Sequence, residues 1–422
     1  VVILRKYNAL ATDNDRSSLR SETGRDGGFA LLMVLLIVTV LAAMVTEFMF
    51  TTRLHAEFNS NYRNRARARY LARSAVNSFQ YLLEVNQIAP GGVLYSASNW
   101  VGYGSGFDQV EGADLASSML GLGESPISPA SDGPLQGQWS IGLPSRFFDV
   151  DGEIFGRIVN ERGKINLNAI VKVANNLDRT QDTVNTDVYN ILRALLQLQG
   201  IEDKDALIFL DSLVDWIDGN GSTEPNGAED DYYRGLPENP YYARNDFLLS
   251  LDEVRLVKGC TPELFDKIKD FVTVYPRIGP NPNAPPDSTI DASAAPKMVL
   301  MAVFLGPRAP GSDTPTNDPD TASRVADDFY KMVVQKAGPS VTVQNGQVSF
   351  SMGQTISSQD IQKVIAGRIQ GVDKYFYTYN QNKLQYYTAI GAGRFNNVVS
   401  VIHTTFKKTP PNNIEILQWI ED

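Results

Sequence analysis

Twenty consecutive uncharged residues, Gly27 to Thr46, constrain this chain more than any other feature of its sequence. At about 1.5 Å per residue, a helix of that length crosses a hydrocarbon core of about 30 Å. The run is rich in Leu, Val, Ile and Met and holds no Pro, so a helix satisfies its backbone groups internally. A secretory signal peptide would need a shorter apolar stretch and a small-residue cleavage site beyond it, which Glu47-Phe48-Met49 does not supply. The sequence therefore predicts a retained span over 29–46. The helical pattern continues past it. Thr51 to Val85 holds neither Pro nor Gly, and Phe58, Tyr62, Tyr70, Leu71, Ala75, Phe79, Leu82 and Leu83 recur mostly three or four apart. Pro90-Gly91-Gly92 closes the pattern. One helix from Phe29 to about Gln87 would be roughly 90 Å long.

The rest of the chain must make the soluble part. With 422 residues, 43% of them hydrophobic, it suits two or three domains with sizeable cores. Short alternating or apolar runs at Gln138–Ile141, Ile154–Val159 and Lys164–Leu167 predict strands, as do Tyr375–Tyr379, Leu384–Ile390, Val398–Phe406 and Ile414–Ile420. Between them, helical patterns run over Val184–Gln199, Asp203–Trp216, Thr261–Val272, Ala294–Phe304, Asp320–Gln335 and Ser358–Ile369. Gly91–Gly137, Tyr275–Ala295 and Gly306–Asp320 read as long loops. The expected class is α+β: a long N-terminal helix on an antiparallel sheet, with a mostly helical domain inserted between strands.

Charge narrows the chemistry. The formal net charge is −10, which argues against nucleic acid as a partner. Between Ile201 and Val274 there are 17 acidic against 7 basic residues. One cysteine, Cys260, and two histidines, His55 and His403, leave little material for disulfides, thiolate zinc sites or Ser-His-Asp catalysis. Ser250 to Val272 has the outline of a helix-hairpin-helix, but the acidic surroundings would repel phosphate; Pro262 after Thr261 is accounted for by helix initiation.

The strongest candidate site is Asp215 to Asp231. Counting from Asp218, oxygen-bearing side chains fall at Asp218, Asn220, Ser222 and Glu224, with Glu229 twelfth, an order similar to that of an EF-hand loop. Thr223 stands where that motif needs Gly, and Pro225 disturbs its geometry, so an irregular cation loop fits better than an EF-hand. Asp215, Asp230 and Asp231 add further oxygens. On the residues alone, a metal loop and a solvated acidic loop both remain open. A membrane-tethered hydrolase with Asp215, Asp218 and Glu229 as acid and base around a metal is a competing reading, although the sequence supplies no evident nucleophile or oxyanion hole.

Gly28-Phe29 followed by the apolar run resembles a type IV prepilin cleavage site. Most such proteins carry Glu at the fifth mature position; here it is Met33, a departure characteristic of the protein K minor pseudopilins of type II secretion. Tyr70-Leu71-Ala72-Arg73-Ser74, Gly163-Lys164-Ile165-Asn166-Leu167-Asn168 and Leu213-Val214-Asp215-Trp216-Ile217-Asp218 resemble that family in order. So do Gly227-Ala228-Glu229-Asp230-Asp231-Tyr232-Tyr233, Ser250-Leu251-Asp252-Glu253-Val254-Arg255-Leu256-Val257-Lys258-Gly259 and Ile416-Leu417-Gln418-Trp419.

The resemblance implies a prepilin leader over 1–28, an N-terminal helix over 29–90, a split pilin-like domain over 91–170 and 372–422, and an inserted helical domain over 171–371. It further implies cleavage by a prepilin peptidase, an inner-membrane anchor and C-terminal domains in the periplasm. Calcium is implied at Asp215, Asp218, Asn220, Ser222, Glu224, Glu229, Asp230 and Asp231. Implied partners are the other minor pseudopilins, the major pseudopilin and the inner-membrane assembly platform, with a role at the tip of the pseudopilus. A minor pilin of a type IV pilus would show the same physics. Arg53, Arg63, Arg65, Arg67, Arg69 and Arg73 follow the span, where the positive-inside rule alone would favour the cytoplasm; on the family orientation they form a solvated face or pair with neighbouring subunits.

Overall fold

A computed structural model describes residues 26–84, 127–129, 139–142, 151–173, 178–277, 286–309, 311–337, 340–344, 347–351, 356–377, 384–410 and 413–422. Of the expected leader, only its last three residues fall among them. The chain forms two units, Val1–Arg63 and Asn64–Asp422.

In the first unit the described residues are helical, within α1 (Asp26–Glu84). Its apolar side chains from Phe29 to Phe50 are exposed, and the helix is long and apolar enough to cross a membrane. Thr39 and Thr46 return their hydroxyls to the carbonyls of Leu36 and Ala42, at 2.8 and 2.7 Å, so neither presents an unsatisfied donor.

In the second unit, α1 lies on a six-stranded antiparallel sheet. Its strands are β1 (Ile127–Pro129), β2 (Trp139–Gly142), β3 (Glu153–Asn160), β4 (Gln385–Phe395), β5 (Val398–Thr409) and β6 (Asn413–Glu421), in that spatial order. Ala68, Ala72, Ala75, Val76, Phe79, Leu82 and Leu83 of α1 are buried against Ile154, Ile158, Tyr387, Ala389, Ile402 and Phe406. Small residues set the closeness of this packing. A Cβ at Gly391 would stand 2.5 Å from the Ala72 carbonyl oxygen, and one at Gly393 would stand 2.6 Å from the Ala72 nitrogen.

Arg67, Arg69 and Arg73 have partners among the described residues of the chain. Arg69 and Arg73 both pair with Glu421 of β6, Arg73 at 2.7 Å, and Trp419 Nε1 donates to the same carboxylate at 2.8 Å. The Arg67 guanidinium stands 4.7 Å from the centre of the Phe395 ring. These contacts answer part of the question left open by the sequence: Arg67, Arg69 and Arg73 hold the chain's own sheet.

β3 and β4 are neighbours, with Tyr387 opposite Asn160, so everything between them is an insertion. It contains α2 (Thr186–Leu198), α3 (Asp203–Ile217), α4 (Asp230–Arg234), α5 (Pro262–Ile268), α6 (Lys297–Leu305), α7 (Pro319–Ala337) and α8 (Ser358–Ile365). The apolar α6 packs on α2 and α7 at the centre of a second core. Ile165, Leu167 and Ile170, and Val372 and Tyr375 at the far end, join this helical core.

Several boundaries differ from expectation. The helix expected over Thr261–Val272 ends at Ile268, because Val272–Thr273 instead pairs in parallel with Ile165–Asn166. Pro296 caps α6 and delays its start to Lys297. The first helix of the hairpin outline is a 3-10 stretch, Leu251–Leu256. Its Arg255 stacks 3.9 Å from the Phe265 ring centre, and Thr261 Oγ1 caps α5 by accepting from Leu264 N at 3.1 Å. The Gly163–Asn168 motif is a tie point: Asn168 Nδ2 donates to Val274 O at 2.9 Å, and Asn168 Oδ1 accepts from Leu248 N at 2.7 Å.

Candidate functional site

Helix α3 aims two carboxylates, one turn apart, at the loop that follows it. Asp211 and Asp215 are both buried, and i, i+4 spacing puts them on one face. Asp211 Oδ2 accepts from the amide and the side-chain amide of Asn226, at 3.0 and 2.8 Å. Its Oδ1 accepts from Tyr189 OH at 2.6 Å. Asp215 Oδ1 accepts from Glu224 N at 3.0 Å. Lys258 Nζ then donates to the carbonyls of Asn226 and Gly227, at 3.1 and 2.8 Å. The loop is therefore fastened by side chains on both flanks.

Within the loop, Asp218 closes α3 with its amide on the Val214 carbonyl at 2.9 Å. Asn220 Nδ2 donates to Asp218 Oδ2 at 2.8 Å, and Asn220 Oδ1 accepts from Ser222 N at 2.7 Å. Asn220 thus braces the loop, and Ser222 itself is exposed. Gly221, at φ +69°, makes the turn that a β-carbon would strain. Asp230 Oδ1 is engaged by Ala243 N at 2.8 Å; Asp231 is exposed at the start of α4.

Asp215, Asp218, Glu224 and Glu229 form the electrostatic centre. Burial pushes the Asp215 carboxyl up to about 6, with the charges of Glu224 and Asp211 adding to it. Burial likewise takes Asp218 up to about 7, reinforced by Asp215, Asp182 and Glu224. Glu229 also rises to about 7, through burial and then Asp215, Asp218 and Asp230. Asp182, from a turn far upstream, is a member that sequence spacing could not reveal. Asp211 was closer to hand, since it stands one helical turn before Asp215.

The donor set suits a hard cation. Among the described residues, Asp215 Oδ2 and Glu229 Oε1 are sealed from solvent without a hydrogen-bond partner, an arrangement costly for lone carboxylates and favourable for metal ligands. Gly227 is pressed against Asp215 Oδ2 so closely that no β-carbon fits. Among the described residues, no three of these side chains close on a single point as a finished shell. Like charges repel, so a cation would have to draw the oxygens together. An all-oxygen set on an irregular loop favours calcium over magnesium, which needs a stricter octahedron.

The processing and assembly candidates lie elsewhere. Gly28, Phe29 and Met33 are exposed residues on the first turns of α1. The motifs that carry the family resemblance near the acidic loop join up around it: Trp216 Nε1 donates to Glu253 Oε1 at 3.1 Å, and the Trp216 ring packs edge-on against Tyr233 with centroids 5.0 Å apart.

Residues 163–277, which contain the acidic loop, match the family model described as Type II secretion system (T2SS), protein K. The chain is 25% identical over 256 residues to the type II secretion system protein K of Aeromonas hydrophila, a match covering 60% of this chain and 64% of that protein. It is 27% identical over 287 residues to that of Pectobacterium carotovorum subsp. carotovorum, covering 67% and 71%. The stretch matched to the Aeromonas protein is thus just under two thirds of that protein's length. A structural match to the GspK-GspI-GspJ complex from enterotoxigenic Escherichia coli covers 74% of this chain and 92% of that one, at 18% identity and a TM-score of 0.45.

Proposed function

We propose that this chain, whose residues 163–277 match the family model for protein K of type II secretion systems, is a minor pseudopilin that caps the tip of the periplasmic pseudopilus. The observation that carries the reading is α1. Its first part is apolar and exposed, and its later part buries a stripe of small and apolar residues under an antiparallel sheet. A soluble enzyme has no use for the exposed part; a filament subunit needs it both as an anchor and as a packing surface.

On this reading, a prepilin peptidase cuts between Gly28 and Phe29. The chain then sits in the inner membrane with its C-terminal side in the periplasm. Its partners are the other minor pseudopilins, the major pseudopilin and the assembly platform. A carboxylate at the fifth mature position needs a neighbour's amino group, and leaving it unpaired in lipid costs several kcal/mol. Met33 frees the chain from that need, which suits a subunit with nothing above it. The bulky insertion between β3 and β4 also suits a position that is not repeated along a shaft.

Calcium would be held by Asp215, Asp218 and Glu229, with Glu224 alongside. Bound there, it would neutralise the cluster and cross-link α3 to the start of α4. The residues themselves keep the loop in place through Asp211, Asn220 and Lys258.

The test uses the full chain co-expressed with its peptidase and a set of pseudopilins. N-terminal sequencing should begin at Phe29, and gold-labelled antibody should mark one end of each filament. Labels repeated along the shaft would overturn the tip assignment, and a product retaining Arg25 would overturn the cleavage.

A further inference from the structure

The acidic loop has a cation of its own, supplied by the chain. Arg179 Nε donates to Asp182 Oδ2 at 2.7 Å, and its Nη2 lies 2.7 Å from the same oxygen. Nη1 reaches Asp246 Oδ1 at 3.0 Å. The guanidinium carbon stands 4.6 Å from the centre of the Phe247 ring, which fixes its plane and shields it from water. The Arg179 stem leans on the loop itself: a Cβ at Gly219 would come within 2.7 Å of the Arg179 Cβ.

Asp182 links this arginine to the carboxylate cluster. Its side chain has no exposed surface, and its backbone carbonyl accepts from Asn220 Nδ2 at 3.3 Å. Asn220 in turn donates to Asp218. A positive charge is therefore linked, through Asp182 and Asn220, to Asp218 of the buried cluster, in which oxygens of Asp215 and Glu229 have no hydrogen-bond partner among the described residues.

We infer that Arg179 is the resident counter-cation of this loop, neutralising it through Asp182 in the metal-free chain and competing there with a divalent cation. The inference rests on the calcium reading given above. It makes Asp182 a shared carboxylate: bound to Arg179 when the loop is empty, and contributing its charge to the cation when the loop is filled. A merely structural Arg179 would give a different outcome, because loosening a structural clamp weakens a binding site, whereas removing a competing charge strengthens it.

The experiment is a calorimetric titration of calcium chloride into the full-length chain in detergent, with melting temperatures measured in chelator and in calcium. Arg179→Gln should bind calcium about tenfold more tightly, the scale expected for a nearby fixed charge in a partly screened site, and should melt lower in chelator than the wild type. Arg179→Lys keeps the charge and should bind like the wild type. Asp182→Asn should bind about tenfold more weakly. Should Arg179→Gln not fold, Asp182→Asn carries the test, and unchanged affinity in it overturns the inference. Arg179→Gln binding equally or more weakly also overturns it. If the wild type binds calcium and the variants match it, the inference alone fails. If the wild type binds none, the calcium reading fails with it.

Discussion

The ammonium of Lys408 donates to the main-chain carbonyl of Leu83 at 2.8 Å, placing the far end of β5 on the closing turn of α1. The last carbonyls of a helix have no partner within it and carry the negative end of its dipole. A buried lysine answers both needs, although burial lowers its pKa from the ordinary range. Lys408 is therefore part of what fixes where α1 ends on the sheet.

Lys408→Met keeps most of the buried volume and removes the donor. The Leu83 carbonyl is left in the core with one hydrogen bond fewer, a loss of about 1–3 kcal/mol. A chemical denaturation midpoint that falls with unchanged slope is the expected result.

Gly393→Ala forces a β-carbon against the backbone of Ala68 and Ala72. Overpacking of this kind costs about 1–3 kcal/mol, and the helix should lift from the sheet before the helical core is affected. Limited proteolysis should then cut between α1 and the sheet while the fragment containing residues 163–277 stays protected.

Gly227→Ala tests the acidic loop from its backbone. The added methyl meets Asp215 Oδ2 and must push that carboxylate away from its neighbours. Calcium affinity should drop at least about tenfold, the equivalent of roughly 1.4 kcal/mol, by titration calorimetry. The circular dichroism spectrum should be retained.

Protons should oppose calcium here. Asp215 stands at about 6, and Asp218 and Glu229 at about 7, each raised first by burial. The folded chain thus binds more protons than the unfolded chain between about pH 4 and 7, and stability falls as pH rises through that window. In chelator the melting temperature should decrease from pH 5 to pH 8. In calcium the decrease should shrink or reverse, because the deprotonated carboxylates are then neutralised by metal. Thermal melts across that range in both buffers check the signs.

What the sequence revealed depended on how local the cause was. α1 was readable because its composition and its spacing of three and four persist over many turns, and because Pro90-Gly91-Gly92 follows it. The strand Val398–Thr409 was readable from alternation as far as Phe406. The 3-10 stretch at Leu251–Leu256 was not, since a helix-like pattern gives no sign that Trp216 and Leu249 will both take hold of Glu253. Nor could spacing place Val272–Thr273 beside Ile165–Asn166. The acidic loop was found through Asp218 and Glu229, which lie close in sequence. Asp182 was not found, because only the fold brings it there. The same holds for Arg73 and Glu421, whose pairing joins the two ends of the second unit.

The position of the insertion also sets the order in which the molecule can be built. β3 is complete at Asn160, yet its partner β4 begins only at Gln385. Bringing those ends together across roughly 220 residues of loose chain would cost about 5 kcal/mol in loop entropy. The helical core removes most of that cost if it forms first, because Ile165 at its entrance and Tyr375 at its exit belong to the same cluster. The insert is then the template for the sheet that encloses it. α1 emerges first during synthesis but must wait for the last residues of the chain, from β4 to Glu421, before its buried stripe is covered.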